Sequence, residues 1–199
     1  MFWNKISPVY DLFENVYNRK VYKGTGIKVA EFIDKNDSVL ECACGTGAIT
    51  EEIAKKCRQV LATDFAEGML KRASKKCRKY ANASFRQEDI TDIKCEDESF
   101  DKVVAGNVIH LLPEPEKALN ELLRVVRPGG KVIIPTYINK TKKSSGAAVK
   151  FIEFLGADFK RQFDIDTYRK FFEDKGYANA EYHVVEGRMP CAIAVITKL

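Results

Sequence analysis

Short apolar runs alternate with amphipathic stretches through the middle of the chain. The apolar runs predict five strands, at about 38–42, 59–63, 84–87, 100–105 and 131–135. Between them, apolar residues recur every three or four positions and predict helices at about 48–57, 65–80 and 115–126. Strands that alternate with helices favour an α/β fold of the Rossmann-like, doubly wound class, in which a mostly parallel sheet carries helices on both faces.

The two ends of the chain follow other patterns. Residues 1–33 carry apolar side chains at helical spacing, which predicts a helical segment before the first strand. This segment either caps the core at 35–137 or forms a lid over a ligand through Tyr10 and Tyr22. Residues 140–199 predict, in order, a basic loop, two helices at about 147–155 and 166–175, and two strands at about 180–186 and 191–197. Because their connection is short, these strands are expected to pair antiparallel and to close a single domain over 1–199.

Composition limits the class of protein without naming a function. A chain of 199 residues with 45% hydrophobic and 31% charged residues is typical of one soluble globular domain. No apolar run approaches the roughly 20 residues of a membrane span, and the first residues lack the apolar core of a signal peptide. Six cysteines without a C-x-x-C pair indicate reduced thiols in the cytoplasm and no metal site. The net charge of +5 is modest, and no aromatic-interleaved basic motif accompanies it, so the sequence does not favour nucleic acid as a partner.

The stretch 39–49, VLECACGTGAI, combines an apolar strand, an acidic residue and a glycine-bearing turn before a helix. Glycines allow close approach of a ligand, and the start of a helix attracts an anion, whereas Glu41 attracts a cation. A ligand with both charges, such as an amino acid moiety, therefore fits. A dinucleotide fingerprint G-x-G-x-x-G/A from Gly45 would need Gly or Ala where Thr50 stands. A tight turn without any ligand is the remaining alternative.

Other polar residues follow the carboxyl ends of predicted strands, as Glu41 does. They are Asp64, Asp89, Asn107, His110 and Tyr137. In doubly wound sheets, ligands bind beyond these strand ends, near the point where the strand order reverses. The sequence therefore predicts one site to which all six residues contribute.

The spacing of small residues after Glu41 resembles motif I of the class I S-adenosylmethionine-dependent methyltransferases, with Ala43 in place of the first glycine. The stretches ATDFAEGML, QEDI, FDKVVAGNVIHLL and RPGG extend this resemblance over roughly residues 35–137. The chain is most similar to the type 11 group, which includes the ubiquinone/menaquinone C-methyltransferases, and ISPVYDLFE resembles the N-terminal segment of that group.

The resemblance implies S-adenosyl-L-methionine as the cofactor. Asp64 would accept hydrogen bonds from the ribose hydroxyls, although it also suits the N-cap of the next helix. Asp89 would accept from the adenine amino group, or would be a solvated turn residue. The other positions that the resemblance assigns to the cofactor are Tyr22, Glu41, Ala43, Cys44, Gly45, Gly47, Phe65, Met69, Ile90, Gly106 and Asn107.

Methyl transfer from a sulfonium requires alignment of the acceptor more than catalytic groups, and it needs a base only where the acceptor must lose a proton. The candidate catalytic residues are His110, Tyr10 and Tyr137, each of which also suits a structural role. The sequence Gly-Asn-Val-Ile after the fourth strand differs from the [N/D]-P-P-[Y/F] of many nucleobase methyltransferases. We therefore expect methyl transfer to a small molecule, with the oligomeric state open. The alternatives are a non-catalytic cofactor-binding sensor or partner subunit and, less favoured, an NAD-dependent oxidoreductase.

Overall fold

The computed structural model describes residues 3, 4, 7, 16–139 and 160–199. Seven strands lie in these ranges: β1 Ser38–Cys42, β2 Gln59–Asp64, β3 Ala83–Gln87, β4 Phe100–Ala105, β5 Val126–Tyr137, β6 Glu181–Val185 and β7 Cys191–Thr197. Five helices accompany them: α1 Arg19–Ala30, α2 Ala48–Ala54, α3 Glu67–Cys77, α4 Pro115–Val125 and α5 Ile165–Glu173. Tyr10, the basic loop from 140 and the helix expected at 147–155 lie outside the described residues.

The strands form one sheet in the order β3-β2-β1-β4-β5-β7-β6. The first five are mutually parallel, and β7 pairs antiparallel with both β5 and β6. The chain adds β2 and β3 on one side of β1, and then returns to place β4 on the other side. This reversal between β1 and β4 is the position at which doubly wound sheets bind ligands. The predicted mostly parallel sheet with an antiparallel end is confirmed.

Alternating strand residues build a core on each face of the sheet. Val39 packs with α1 and α2, whereas Leu40 packs with α4 and α5. Since successive side chains of a strand point to opposite faces, this division shows that helices cover both faces. All five residues of β1 are buried, as expected for a central parallel strand.

Helix α1 belongs to the core and to the site at once. Val21 and Val29 are fully buried on the α2 face of the sheet. A Cβ added to Gly26 would lie 3.2 Å from the carbonyl oxygen of Ala48, so α1 packs tightly against the start of α2. Tyr22, on a neighbouring position of α1, lines the cavity described below. The two roles weighed for this segment, capping and covering a ligand, are therefore compatible.

Strand β5 begins earlier than the sequence predicts, at Val126 instead of Lys131. Val126 pairs with Phe100, and the register shifts before Lys131 pairs with Lys102. The backbone N–H of Gly129, a residue with φ +75°, donates to the carbonyl oxygen of Lys198 over 2.8 Å. The RPGG stretch is thus part of an irregular strand.

Candidate functional site

A cavity of about 330 Å³ opens at the carboxyl edge of the parallel strands. Segments that follow β1, β2, β3 and β4, together with the last residue of β5 and one face of α1, supply its walls. The predicted site residues that line it are Tyr22, Ala43, Cys44, Gly45, Asp64, Phe65, Met69, Asp89, Ile90, Gly106, Asn107 and Tyr137. The strand ends therefore converge as the sequence indicated.

The two glycines of the loop after β1, Gly45 and Gly47, are required for different reasons. Gly45 has φ +55°, lines the cavity, and a Cβ added there would meet nothing within 4 Å. Gly47 has φ +83°, and its added Cβ would lie 3.0 Å from both Cα and Cβ of Ala73. Gly47 does not line the cavity; it allows the loop to pack against α3. Only Gly45 of this pair leaves space for a ligand.

Asp64 joins the loop after β1 to the segment after β2. Its Oδ2 accepts a hydrogen bond from the Gly45 backbone N–H, and its Oδ1 accepts one from the Ala66 N–H, each over 2.8 Å. The N-cap of α3 is Ala66, so the Asp64 side chain acts just before the cap. Burial raises the pKa of the Asp64 carboxyl above its usual value. Each carboxylate oxygen has a second lone pair, so Asp64 keeps acceptor capacity towards the cavity that it lines.

The segment after β3 presents two adjacent acids with different surroundings. Asp89 is exposed, and its Oδ1 accepts from the backbone N–H and the hydroxyl of Thr91 over 2.8 and 2.7 Å. The turn role considered for Asp89 is therefore present, beside its position on the cavity wall. Glu88 is buried, lines the cavity and forms an ion pair with Arg86 at 2.6 Å. Among the described residues, Glu88 Oε2 has no hydrogen-bond partner.

Glu41 lies behind the cavity wall and does not line the cavity. Its side chain is only 1% exposed, and burial raises its pKa from 4.5 to about 8. Within the described part of the chain, Oε2 of this carboxyl lacks a hydrogen-bond partner. Glu41 is therefore a buried acid next to the loop, in a place where an ion is poorly solvated.

Gly106 and Asn107 shape the wall after β4. Asn107 has φ +53°; its backbone N–H donates to Pro135 O over 2.8 Å, and its Oδ1 accepts from the Tyr137 N–H over 3.0 Å. Asn107 thus joins the ends of β4 and β5. A Cβ on Gly106 would lie 2.7 Å from Cδ1 of Ile49, so a larger residue would push this wall outward.

Two of the three candidate catalytic residues, Tyr137 and His110, are described, and only one of these two lines the cavity. Tyr137 lines the cavity, Tyr10 lies outside the described residues, and His110 is buried away from the cavity wall. Burial lowers the pKa of His110 to about 4, so its imidazole is neutral at neutral pH. The His110 carbonyl accepts from the Arg161 backbone N–H over 3.1 Å.

Sequence reasoning missed nine residues of the cavity wall. They are Trp3, Thr25, Thr46, Ala48, Ile49, Glu88, Val108, Leu111 and Leu112. Thr25 follows Tyr22 by three positions on the same helix, so helical spacing could have identified it. Thr46 and Glu88 adjoin residues that were singled out. The apolar members resemble ordinary core residues and give no separate signal.

The described ranges lack two kinds of feature. They contain no group of three or more His, Cys, Asp or Glu side chains placed to hold a metal ion. They also contain no helix that is long and apolar enough to cross a bilayer.

Comparisons with known proteins agree with this geometry. Residues 40–134 match the methyltransferase domain family. The chain is 37% identical over 98 residues to the demethylmenaquinone methyltransferase of Clavibacter sepedonicus, which covers 49% of this chain and 40% of that protein. It is 34% identical over 143 residues to the ubiquinone/menaquinone biosynthesis C-methyltransferase UbiE of Bdellovibrio bacteriovorus, covering 66% of this chain and 58% of the relative. The matches thus span about half the length of these relatives.

A solved structure shows the same fold. An S-adenosylmethionine-dependent methyltransferase from Aquifex aeolicus superposes with a TM-score of 0.70 at 20% identity, covering 98% of each chain. Both the sequence match and the sheet order point to one family. Residues 40–134 of this chain therefore match the methyltransferase domain family, and the described sheet has the fold of an S-adenosylmethionine-dependent methyltransferase.

Proposed function

We propose that the chain binds S-adenosyl-L-methionine in the cavity and transfers its methyl group to a small-molecule acceptor. The observation that carries this proposal is the Asp64 carboxylate, which fastens the open Gly45 loop and lines the same cavity. The Asp64 carboxylate has lone pairs left to accept hydrogen bonds, and Gly45 beside it has no side chain in the way. Together they suit a ligand whose hydroxyl groups come close to the main chain.

The walls fit the remaining parts of this cofactor. Asp64 binds the ribose hydroxyls, while Phe65 and Ile90 contact the adenine ring and Asp89 accepts from its amino group. Phe65 is 54% exposed, which is unusual for a large aromatic side chain. A stacked adenine ring would cover part of this exposed surface. The methionine moiety lies along the loop of Ala43, Cys44 and Gly45.

Glu41 contributes through charge instead of contact. Burial raises its pKa to about 8, so in the free chain this acid is mostly protonated at neutral pH; the cofactor's ammonium group favours the ionised form, which then attracts the ammonium from behind the wall. Tyr22, Met69, Gly106 and Asn107 complete the enclosure, whereas Gly47 holds α2 against α3.

The bound cofactor supplies an activated methyl group on its sulfonium. The chain aligns the acceptor with that group and excludes water. Tyr137 at the end of β5 is the candidate that orients the acceptor, with Tyr10 as a second candidate from the N-terminal segment. His110 is neutral and lies behind the cavity wall. It therefore acts, if at all, by positioning the neighbouring residues that line the cavity.

A small-molecule acceptor is supported by the size of the cavity and by the apolar side chains of Val108, Leu111 and Leu112 in its wall. The names of the two relatives refer to quinone methylation, which is a small-molecule reaction. We also propose a cytoplasmic location. Its support is that all six cysteines are free thiols.

The test is methyl transfer from cofactor labelled on its methyl group, across a panel of phenols, quinols, amines and thiols. We expect label in at least one small-molecule product. Tight binding of the cofactor without transfer to any acceptor would instead favour the sensor or partner-subunit alternative. Binding of NAD in place of the cofactor would favour the oxidoreductase.

A further inference from the structure

Three polar side chains from separate elements meet beside the glycine loop. The hydroxyls of Tyr22 in α1 and Thr46 in the loop lie 3.2 Å apart. The ammonium Nζ of Lys76, in the last turn of α3, is 3.4 Å from each of these two hydroxyl oxygens. The same ammonium lies 5.8 Å from the centre of the Tyr22 ring. We call Tyr22, Thr46 and Lys76 the lysine corner.

The lysine corner belongs to the wall of the cavity. Tyr22 and Thr46 both line it, and Lys76 contacts the two lining hydroxyls. Lys76 is itself partly buried, so its charge is less screened than that of a fully exposed surface lysine. Its contacts with Tyr22, both polar and through the ring face, hold the ammonium beside the two hydroxyls, although Lys76 itself does not line the cavity.

This set of groups suits a carboxylate. A lysine ammonium supplies a positive charge and several donors, and the two hydroxyls beside it, which share one hydrogen bond, have at most one proton left for a further acceptor. Thr46 follows Gly45, whose N–H is fastened by Asp64. The lysine corner is therefore next to the loop residue that Asp64 holds, beside the place that the proposed function assigns to the cofactor.

We propose that Lys76, with Tyr22 and Thr46, binds the carboxylate of the cofactor's methionine moiety. The inference rests on the proposed function, because it assigns one end of the same ligand. It gives Lys76 a binding role that no motif in the sequence indicates, since α3 otherwise reads as a packed helix with a lysine-rich exposed face.

The experiment compares two ligands that differ only in this group. Titration calorimetry measures the affinity of the full chain, of Lys76→Met and of Lys76→Arg for S-adenosylmethionine and for decarboxylated S-adenosylmethionine. The matched control is Lys75→Met, which removes the same charge from the adjacent, exposed position of the same helix. The melting temperature of each variant shows whether it is folded.

We expect Lys76→Met to weaken binding of S-adenosylmethionine about tenfold or more, as for a lost charge-assisted hydrogen bond. Binding of the decarboxylated ligand should change by less than about twofold, which is within the scatter of a titration. Lys76→Arg should restore most of the affinity, and Lys75→Met should behave as the unaltered chain.

Equal weakening of both ligands by Lys76→Met would overturn the inference, because it would show that Lys76 only holds α1 and the loop in place. An unchanged affinity for S-adenosylmethionine would overturn it as well. In both cases the unaltered chain still binds the cofactor, so the proposed function survives. If the unaltered chain binds neither ligand, the proposed function fails and the inference fails with it.

Discussion

Replacing Asp64 with alanine tests the contact on which the candidate site is built. The side chain accepts two backbone hydrogen bonds of 2.8 Å, one from Gly45 and one from Ala66. Asp64→Ala removes both acceptors and the negative charge, and it leaves the two N–H groups without this partner. The variant should therefore lose stability and cofactor affinity together.

The two losses can be estimated separately. The Ala66 residue is only 1% exposed, so its N–H becomes a buried, unsatisfied donor that costs about 1–3 kcal/mol. The Gly45 N–H adjoins the cavity and can bind water, so its loss costs about 0.5–1.5 kcal/mol. Because burial disfavours the charge of Asp64, part of this loss is offset. We expect a net decrease of roughly 1–3 kcal/mol in the free energy of unfolding. The affinity for S-adenosylhomocysteine should fall by about 1.5–3 kcal/mol, as for hydrogen bonds to a charged group.

Urea unfolding followed by circular dichroism measures the first loss, and titration calorimetry at 25 °C measures the second. The control is Asp92→Ala, an exposed acid whose ion pair with Lys94 contributes little. If Asp64→Ala keeps the affinity of the unaltered chain, Asp64 does not bind the ribose. If it keeps full stability, the two backbone contacts do not hold the loops together.

Two further substitutions and one pH series extend the test. Gly45→Val should lower the free energy of unfolding by about 1–3 kcal/mol, because a β-branched residue is strained at φ +55°, yet it should leave a folded chain, because its Cβ meets nothing within 4 Å. It should abolish cofactor binding in the same titration, and an unfolded variant would contradict this. Gly47→Ala should instead lower the free energy of unfolding by about 1–3 kcal/mol, because its Cβ meets Ala73 and its φ is positive; an unchanged urea midpoint would refute the packing argument. For Glu41, whose pKa is raised from 4.5 to about 8, the folded chain binds more protons than the unfolded chain between these values, so stability falls as pH rises across this window. The stability of Glu41→Gln relative to the unaltered chain should therefore increase from about pH 4.5 to about pH 8, by no more than roughly 5 kcal/mol. If urea unfolding shows the same difference between the two chains throughout this range, the raised pKa of Glu41 is wrong.

The fold could be predicted from the sequence because its signals are local. The strand at 38–42 is an apolar run buried on both faces. In α4, buried residues recur at helical spacing, among them Ala118, Leu122 and Val125. Gly176 follows α5 with φ +88°, which is typical of a glycine that ends a helix. The early start of β5 could not be predicted in this way. It depends on the pairing of Val126 with Phe100 and on a register shift, which are contacts between distant segments.

The site could be predicted where a residue with a polar side chain lies at the end of a predicted strand or just after it. Asp64, Asp89 and Tyr137 meet both conditions, and all three line the cavity. Glu41 lies within β1 near its end and His110 follows β4, but neither side chain lines the cavity, because a position near a strand end does not fix which way the side chain faces. Residues that enter from other elements escaped prediction.

Lys76 and Thr25 illustrate this second limit. Lys76 is one of several lysines on α3, and only the packing of that helix against the loop brings it to Tyr22. Thr25 is buried on α1, lines the cavity and has a hydroxyl without a hydrogen-bond partner among the described residues. In the sequence, only its spacing of three positions from Tyr22 distinguishes Thr25 from other small polar residues.

The central claim is that the cavity beside Asp64 binds S-adenosylmethionine and not a nicotinamide dinucleotide. Its most direct test is titration calorimetry of the unaltered chain with S-adenosylhomocysteine and with NAD, repeated on Asp64→Ala. We predict one S-adenosylhomocysteine bound per chain, a weaker affinity in the variant and no heat of binding with NAD. Saturable binding of NAD, or an absence of binding by S-adenosylhomocysteine to the folded chain, would contradict the account.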